Sequence, residues 1–193
     1  MNDEDLQIDN ILDNHVKKKK VDGKAKGDRT ELNLCKMLTK HFGVEFSKAL
    51  GSGARWSQVN HLPEHAKKTL TGDICVPEHF LWVMESKGGY EDDMNLNNVC
   101  DGKGIACLDG FIEQVSRDAK YCGRKPIICW KRNRKPWLAF VREEDLFVKI
   151  GHKNPTAITE IDFQYRIHYR EWVMVKLDDL LNGPRSYWFK EEK

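Results

Sequence analysis

Three charged residues, Asp73, Glu85 and Lys87, carry the clearest chemical signal in this sequence of 193 residues. Glu85 and Lys87 follow the apolar run at residues 80–84, and residues two apart on a strand project from the same face. If Asp73 opens a neighbouring strand, its carboxylate lies beside that of Glu85. Two adjacent carboxylates repel each other, and a hard divalent cation such as Mg²⁺ or Mn²⁺ relieves the repulsion. The spacing therefore predicts a metal site at which Lys87 orients a water molecule or stabilises a phosphate.

The same spacing also has a purely structural interpretation. Burying a carboxylate and an ammonium group beside a hydrophobic core is costly unless the two groups pair. In that case Lys87 pairs with Asp73 or Glu85 at the end of a hairpin and has no catalytic role. The spacing alone fits both interpretations.

A helix is predicted upstream of these residues, and it carries a further carboxylate. Apolar residues recur at helical spacing between residues 34 and 42, and Asp28 with Glu31 resembles a capping box that opens the helix near Gly27. Gly43 is well placed to end it. Glu31 lies on the apolar face, one turn before the first buried position. Its carboxylate therefore suits either a buried salt bridge or a metal ligand.

The order of the remaining elements predicts the fold class. A second helix is expected over residues 111–122, and strands are expected at residues 44–50, 72–76, 80–87, 126–130 and 137–141. This alternation predicts an α/β domain with a central mixed β-sheet flanked by helices. We expect a mobile tail over residues 1–25, acidic and then basic, and a core over residues 26–150. Residues 151–193 are expected to form a strand–helix extension that packs on the same domain.

Composition excludes several classes of protein. Hydrophobic residues make up 40% and charged residues 32% of the chain, as in a folded globular protein rather than a disordered one. No apolar run has the length of a membrane span, and the acidic N-terminus does not resemble a secretory signal. The six cysteines form no C-x-x-C pair, so we expect reduced thiols in an intracellular protein.

Charge is distributed in blocks, although the net charge is only +2. Residues 15–29 carry seven basic side chains, and residues 123–142 carry seven with no acid. Such blocks are either solvated surface or a binding surface for a polyanion. The candidate phosphate contacts are Lys17, Lys18, Lys19, Lys20, Arg55, Lys131, Arg132, Arg134 and Lys135.

A family resemblance connects these features. The motifs that carry it are Lys26-Gly27, Glu31, Gly51-Ser52-Gly53, Gly72-Asp73-Ile74, Glu85-Ser86-Lys87 and Glu113-Gln114-Val115, followed by the two strands after residue 125. In their order and chemistry they resemble the archaeal-type Holliday junction resolvases, which belong to the PD-(D/E)XK nuclease superfamily. The resemblance covers roughly residues 24–145 and implies a restriction-endonuclease-like core.

The resemblance also implies an activity. It implies a homodimeric, Mg²⁺-dependent endonuclease of DNA recombination and repair that recognises four-way DNA and nicks two strands symmetrically. It implies neither a small-molecule cofactor nor an association with a membrane. By position, it implies that the metal is held by Glu31, Asp73, Glu85 and the backbone carbonyl of Ser86. It assigns Lys87 as the catalytic lysine, brings Ser52 to the scissile phosphate and places Gln114 at the border of the site.

The sequence is compatible with three alternatives. Residues 54–71 and 91–109 form longer segments than the compact archaeal enzymes have, and such insertions beside a site can change its substrate. The chain could be another PD-(D/E)XK endonuclease that acts on duplex or flap DNA. It could also be a non-catalytic DNA-binding module, although such a module is expected to lose Asp73, Glu85 or Lys87 and all three are present. Finally, it could be an interaction protein whose acidic segment binds a basic partner.

Overall fold

The computed structural model describes residues 23–49, 61–149, 158–160, 163 and 165–190. The helices are α1 Gly23–Phe42, α2 Glu64–Thr69, α3 Asn97–Cys100, α4 Ala106–Cys122, α5 Leu177–Leu181 and α6 Arg185–Trp188. The strands are β1 Ser47–Lys48, β2 Ile74–Cys75, β3 Trp82–Gly88, β4 Lys125–Lys131, β5 Trp137–Arg142, β6 Phe147–Lys149, β7 Ile158–Glu160, β8 Ile167–Tyr169 and β9 Trp172–Lys176. A 3₁₀ turn, Glu143–Leu146, follows β5.

The main sheet has five strands in the order β3-β4-β5-β9-β8. β3 and β4 are parallel and are joined through α4, whereas the other neighbouring pairs are antiparallel. The predicted fold class, a mixed sheet flanked by helices, is confirmed. In the β3–β4 register Glu85 lies opposite Ile128 and Gly88 lies opposite Lys131, so the polar end of β3 adjoins the end of β4.

Hydrophobic residues pack on both faces of this sheet. One cluster joins α1 and the C-terminal helices to Trp82 and Met84, and the other joins α4 to Val83. Because side chains alternate along a strand, Glu85 and Lys87 share the face of Val83 and point towards α4. The tryptophans of the predicted strands, Trp82, Trp130, Trp137 and Trp172, are buried as expected.

The first helix forms as predicted at its end but not at its start. Gly43 adopts φ +70° and its N–H donates to the carbonyl of Thr39, which ends α1. The helix already includes Gly23, the first residue that the structure describes, so the predicted capping box at Asp28 and Glu31 is wrong. Both residues lie inside α1, and both carboxylates pair with Lys48 on β1.

Strands β1 and β2 form a separate two-stranded sheet, and both are shorter than predicted. Of residues 44–49, only Ser47 and Lys48 join a ladder, because Phe46 is buried in the core and its N–H donates to the Thr39 hydroxyl at 3.0 Å. Likewise, β2 is confined to Ile74–Cys75. Asp73 nevertheless connects the strands, since its carbonyl accepts from Ala49 N–H at 2.8 Å and its N–H donates to the Met84 carbonyl at 3.0 Å.

The C-terminal strands complete the main sheet. β9 pairs with β5, and β8 forms the sheet edge. Tyr169 on β8 donates to Asp109 Oδ1 at 2.9 Å and accepts from Ile105 N–H at 2.8 Å, which fastens the end of the acidic segment to this edge. None of the six cysteines, all of which lie in the described ranges, forms a disulfide. Within the described ranges, no helix is long and apolar enough to cross a bilayer.

Candidate active site

Asp73 is held at the base of the candidate site by the backbone of β3. Its Oδ2 accepts a hydrogen bond from Ser86 N–H at 2.9 Å, and the side chain is buried. The preceding residue, Gly72, has φ +90°, and a Cβ there would lie 2.9 Å from the Met84 carbonyl. Only glycine therefore allows the chain to pass this close to β3 and deliver Asp73 to it.

Glu85 is the most deeply buried charged residue of the described chain, at 1% exposure. Its Oε1 accepts hydrogen bonds from the Lys87 ammonium and from Gln114 Nε2, the latter at 2.7 Å. Its Oε2 is buried and has no hydrogen-bond partner among the described residues. One carboxylate oxygen is thus fixed by two donors, while the other has no donor among the described residues.

The charges of this cluster act strongly on one another. Burial, and then the negative charge of Asp73, raise the pKa of Glu85 to about 8, although Lys87 opposes this shift. Burial works to lower the pKa of Lys87, but the carboxylates of Glu85 and Asp73 outweigh it and raise that pKa. The Lys87 ammonium lies 4.6 Å from the centre of the Phe111 ring on α4, so it is sandwiched between carboxylate and aromatic surface.

This arrangement fits a hard divalent cation. Two adjacent carboxylates, one of them with a buried unpartnered oxygen, have the chemistry that Mg²⁺ or Mn²⁺ requires. No group of three or more Asp, Glu, His or Cys side chains at metal-binding spacing occurs in the described part of the chain. A cation held here would take Asp73, Glu85 and the Ser86 carbonyl as protein ligands and retain several waters. Lys87 does pair with Glu85, as the structural interpretation required. That ion pair is formed by Oε1, and Oε2 is left without a hydrogen-bond partner among the described residues.

Glu31 is close to this pair but has a different partner. Its Oε2 lies 3.0 Å from Lys48 Nζ, and its side chain is 12% exposed. Burial raises the pKa of Glu31, and the charge of Asp73 contributes to the shift. The structure therefore places Glu31 within electrostatic range of Asp73, with its carboxylate engaged in a salt bridge.

Helix α4 supplies one predicted site residue and two that sequence reasoning missed. Gln114 contacts Glu85 directly, and Phe111 lies beneath Lys87. Asp118 is half-buried one turn beyond Gln114, and burial raises its pKa, with the charge of Asp73 acting in the same direction. Both could have been found from the sequence. Phe111 lies three residues before Gln114 and Asp118 four residues after it, and residues with this spacing share a helix face. The partner of Glu31, Lys48, was not predicted either, because no local pattern marks it.

The predicted basic turn borders the same end of the sheet. Lys131, opposite Gly88 in the register, begins the turn between β4 and β5, and Gly89 N–H donates to its carbonyl at 2.9 Å. Arg132 lies over the Trp130 ring at 5.3 Å, and exposed Arg134 adopts φ +55°. With exposed Lys135, the turn presents basic groups next to the strand end that carries Lys87. The remaining predicted contacts lie outside the described residues: Lys17, Lys18, Lys19, Lys20, Ser52 and Arg55.

Comparisons with known proteins agree with this chemistry. The family described as "Phage putative PDDEXK endonuclease" matches residues 22–190. Protein D14 of Escherichia phage T5 is 28% identical over 131 residues, which cover 66% of this chain and 76% of that protein. No solved structure matches the chain significantly.

Proposed function

We propose that this chain, which belongs to the family of phage PDDEXK endonucleases, cleaves branched DNA in a metal-dependent reaction and resolves four-way junctions by paired nicks. Family membership makes it a nuclease of the PD-(D/E)XK type. The observation that carries the proposal is the buried pair Asp73 and Glu85, with one Glu85 oxygen lacking a partner among the described residues.

The proposed cation, Mg²⁺ or Mn²⁺, would be held by Asp73, Glu85 and the Ser86 carbonyl. When bound, such a cation supplies an acidified water and neutralises charge on a phosphate. It would also relieve the repulsion that raises the pKa of Glu85. Ser86 links the two acidic ligands. Its N–H donates a hydrogen bond to Asp73 Oδ2, and the residue before it in the chain is Glu85.

Lys87 and α4 supply the rest of the proposed machinery. Lys87 keeps its proton well above neutral pH, because its pKa is raised by the neighbouring carboxylates. It therefore acts as a fixed cation that stabilises negative charge developing on the phosphate. Gln114 fixes Glu85 Oε1 so that Oε2 stays turned to the cation, and Phe111 limits the directions open to Lys87.

The substrate assignment has separate support. The order of the motifs resembles that of junction resolvases, and the basic turn Lys131–Lys135 lies beside the site, where it can bind phosphates flanking the cut. Phosphate contacts of this kind position DNA without reading its sequence. Paired nicks require two sites, so the proposal includes a homodimer acting in DNA recombination or repair.

The test compares cleavage of a labelled synthetic four-way junction with cleavage of matched linear duplex and flap DNA. Each substrate is incubated with Mg²⁺, with Mn²⁺ or with EDTA, and Asp73→Ala protein serves as the control that binds DNA without cutting it. We expect paired symmetric nicks in the junction alone, lost in EDTA and in the variant.

Other outcomes separate the alternatives. Cleavage of all three substrates would retain the nuclease and reject junction selectivity, in favour of an enzyme for duplex or flap DNA. Tight DNA binding with no cleavage in either metal would reject the proposed activity and indicate a non-catalytic binding module. Absence of DNA binding in low salt would reject both.

A further inference from the structure

Tyr90 has a backbone conformation that aromatic residues rarely adopt. It follows the glycine pair at the end of β3, and it has φ +59° directly after Gly89 at φ +89°. The left-handed region is unfavourable for a residue with a Cβ, and a bulky residue there is uncommon. Strain of this kind persists only where the surroundings impose it, and it occurs often at binding sites. The neighbours of Tyr90 must therefore fix its backbone.

Gly89, immediately before Tyr90, is buried and held from two sides. Its N–H donates to the Lys131 carbonyl at 2.9 Å, and its carbonyl accepts a hydrogen bond from the indole N–H of Trp130. A Cβ at Gly89 would lie 2.6 Å from Lys26 Nζ, so the backbone also passes close to this side chain of α1. The segment enters Tyr90 from a point fixed between β4 and α1.

The chain after Tyr90 is held as well. Buried Met94 donates its N–H to the Tyr90 carbonyl at 2.8 Å. Glu91 Oε1 accepts a hydrogen bond from the N–H of Asn133 in the basic turn at 2.8 Å. Tyr90 thus lies between two fixed points, and the direction of its side chain is set by the fold.

The Tyr90 side chain points to the surface beside the site. The residue is 41% exposed, and its ring lies 5.1 Å from the Phe111 ring in an edge-to-face contact. The Lys87 ammonium lies 4.6 Å from the centre of the same Phe111 ring. The Tyr90 phenol is also among the groups that raise the pKa of Lys87. An exposed aromatic ring therefore stands next to the proposed catalytic lysine.

This ring offers a kind of contact that the charged groups of the site do not. Lys87 and the basic turn can bind phosphates, whereas an aromatic face binds a nucleic-acid base by stacking. The edge-to-face contact with Phe111 covers at most one face of the Tyr90 ring, so the other face is open. Bases inside a continuous duplex are stacked on their neighbours, and taking one out costs least where pairing is already interrupted.

We propose that Tyr90 is a substrate-binding residue whose ring stacks on an unstacked base at the branch point of the DNA, beside the phosphate at the metal site. This inference rests on the proposed nuclease function and deepens it, because it adds a contact that a continuous duplex does not offer. The strained backbone holds the ring in place before DNA binds, which reduces the entropy lost on binding.

The test combines variants of the full chain with removal of single bases from the substrate. Four-way DNA is prepared intact and with an abasic nucleotide in turn at each position that flanks the branch point, and binding is measured in EDTA. Stacking of one base on an aromatic side chain contributes about five- to a hundredfold in affinity. We expect wild type to lose this factor at one abasic position. Tyr90→Leu should lose it on intact DNA and lose nothing further at that position, whereas Tyr90→Phe should match wild type.

Two controls separate stacking from charge and from general effects of losing a tyrosine. Stacking releases no counterions, so Tyr90→Leu should leave the slope of log affinity against log salt unchanged. Tyr121→Leu is the matched control, because Tyr121 lies in the last turn of α4, whereas Phe111 contacts Lys87 near the other end of that helix. This variant should bind intact and abasic DNA as wild type does.

Several outcomes would overturn the stacking contact. One is folded Tyr90→Leu that binds intact four-way DNA with wild-type affinity, and another is a loss that is the same on intact DNA and on every abasic DNA. A loss in Tyr90→Phe equal to that in Tyr90→Leu would assign the effect to the hydroxyl and also reject stacking. Thermal unfolding identifies misfolded protein. If Tyr90→Leu misfolds, Tyr90→Asn replaces it, because asparagine tolerates the left-handed conformation.

The parent proposal is judged separately, on the wild-type protein. Wild type that cuts four-way DNA but shows no sensitive abasic position would retain the nuclease and reject the role of Tyr90. Wild type that neither binds nor cuts DNA would instead reject the nuclease function itself.

Discussion

Gln114 Nε2 donates a hydrogen bond to Glu85 Oε1 at 2.7 Å, although the two residues are 29 positions apart on different elements. This contact and the ion pair with Lys87 occupy the same oxygen of Glu85. The other oxygen has no partner in the described structure. Helix α4 therefore determines which oxygen of Glu85 is available for a cation.

Replacing Gln114 should weaken metal binding without removing a ligand. Gln114→Met keeps the length of the side chain but loses the donor, so the carboxylate of Glu85 is no longer fixed. We expect Mn²⁺ affinity to fall about tenfold, as for other residues that orient a ligand. Titration of Mn²⁺ measures this, with exposed Glu113→Gln on the same helix as the control. Wild-type affinity in Gln114→Met would show that the contact does not orient Glu85.

Stability in EDTA should fall as the pH rises from 5 to 8. The pKa of Glu85 is about 8 in the folded protein, whereas an ordinary glutamate titrates near 4.5, so in this window the folded state binds more protons than the unfolded state. The free energy of unfolding therefore decreases with pH, by up to about 1.4 kcal/mol per pH unit for one proton. The raised pKa of Glu31 acts in the same direction.

Urea unfolding at pH 5.5, 6.5 and 7.5 measures this dependence. Glu85→Gln should flatten the pH dependence, because the amide does not titrate. In the wild-type protein, added Mg²⁺ should restore the stability that is lost at the higher pH. A pH dependence that is equally steep in Glu85→Gln would mean that Glu85 is not its source.

Close packing of α1 against the end of β3 should make Gly88 intolerant of a side chain. A Cβ at this position would overlap the hydroxyl of buried Thr30, which itself donates to the Lys26 carbonyl. We expect Gly88→Ala to lower the free energy of unfolding by about 1–3 kcal/mol in urea denaturation. Added Thr30→Ala should recover part of this loss, since the two sites are in contact.

Gly27→Ala is the matched control for Gly88→Ala. Gly27 lies within α1, and a Cβ there meets no atom within 4 Å. Alanine should therefore raise stability by about 0.5–1 kcal/mol through its helix propensity. If both substitutions stabilised the protein, the tight contact between Thr30 and Gly88 would be wrong.

The basic turn should contribute to DNA affinity through charge alone. Arg134→Gln and Lys135→Gln each remove one exposed cation, and each should lower the salt slope of DNA binding by about 0.9. The effect should be similar for four-way and duplex DNA, because both present the same charged phosphate backbone to the turn. Gel-shift titrations at several salt concentrations measure it, with exposed Lys40→Gln on α1 as control. Unchanged slopes in both variants would place the DNA elsewhere.

The sequence contained enough to predict the mixed sheet and the face shared by Glu85 and Lys87. Both depend on local signals, namely an apolar strand with period two and a helix with period near four. The start of α1 was mispredicted because Asp28 and Glu31 fit a capping pattern, although they bind Lys48 from within the helix. The first strand was predicted to be too long. Only residues 47–48 join a ladder, because Phe46 is buried in the core.

What could not be predicted are the contacts between distant elements. The bond from Gln114 to Glu85 depends on how α4 sits against β3, and the pairing of Lys48 with Glu31 depends on where β1 meets α1. Periodicity specifies which face of an element is buried but not which residue of another element it meets. The sequence therefore predicted the main residues of the site, whereas the partners of their side chains are known only from the structure.

The most direct test of the central claim is single-turnover cleavage of four-way DNA by wild type, Glu85→Gln and Lys87→Met, measured together with Mn²⁺ binding by the same proteins. We predict that Glu85→Gln loses both metal binding and cleavage, whereas Lys87→Met binds Mn²⁺ and cuts at least about a hundredfold more slowly. Cleavage by either variant at the wild-type rate would contradict the assignment of the Asp73–Glu85–Lys87 cluster as the active site.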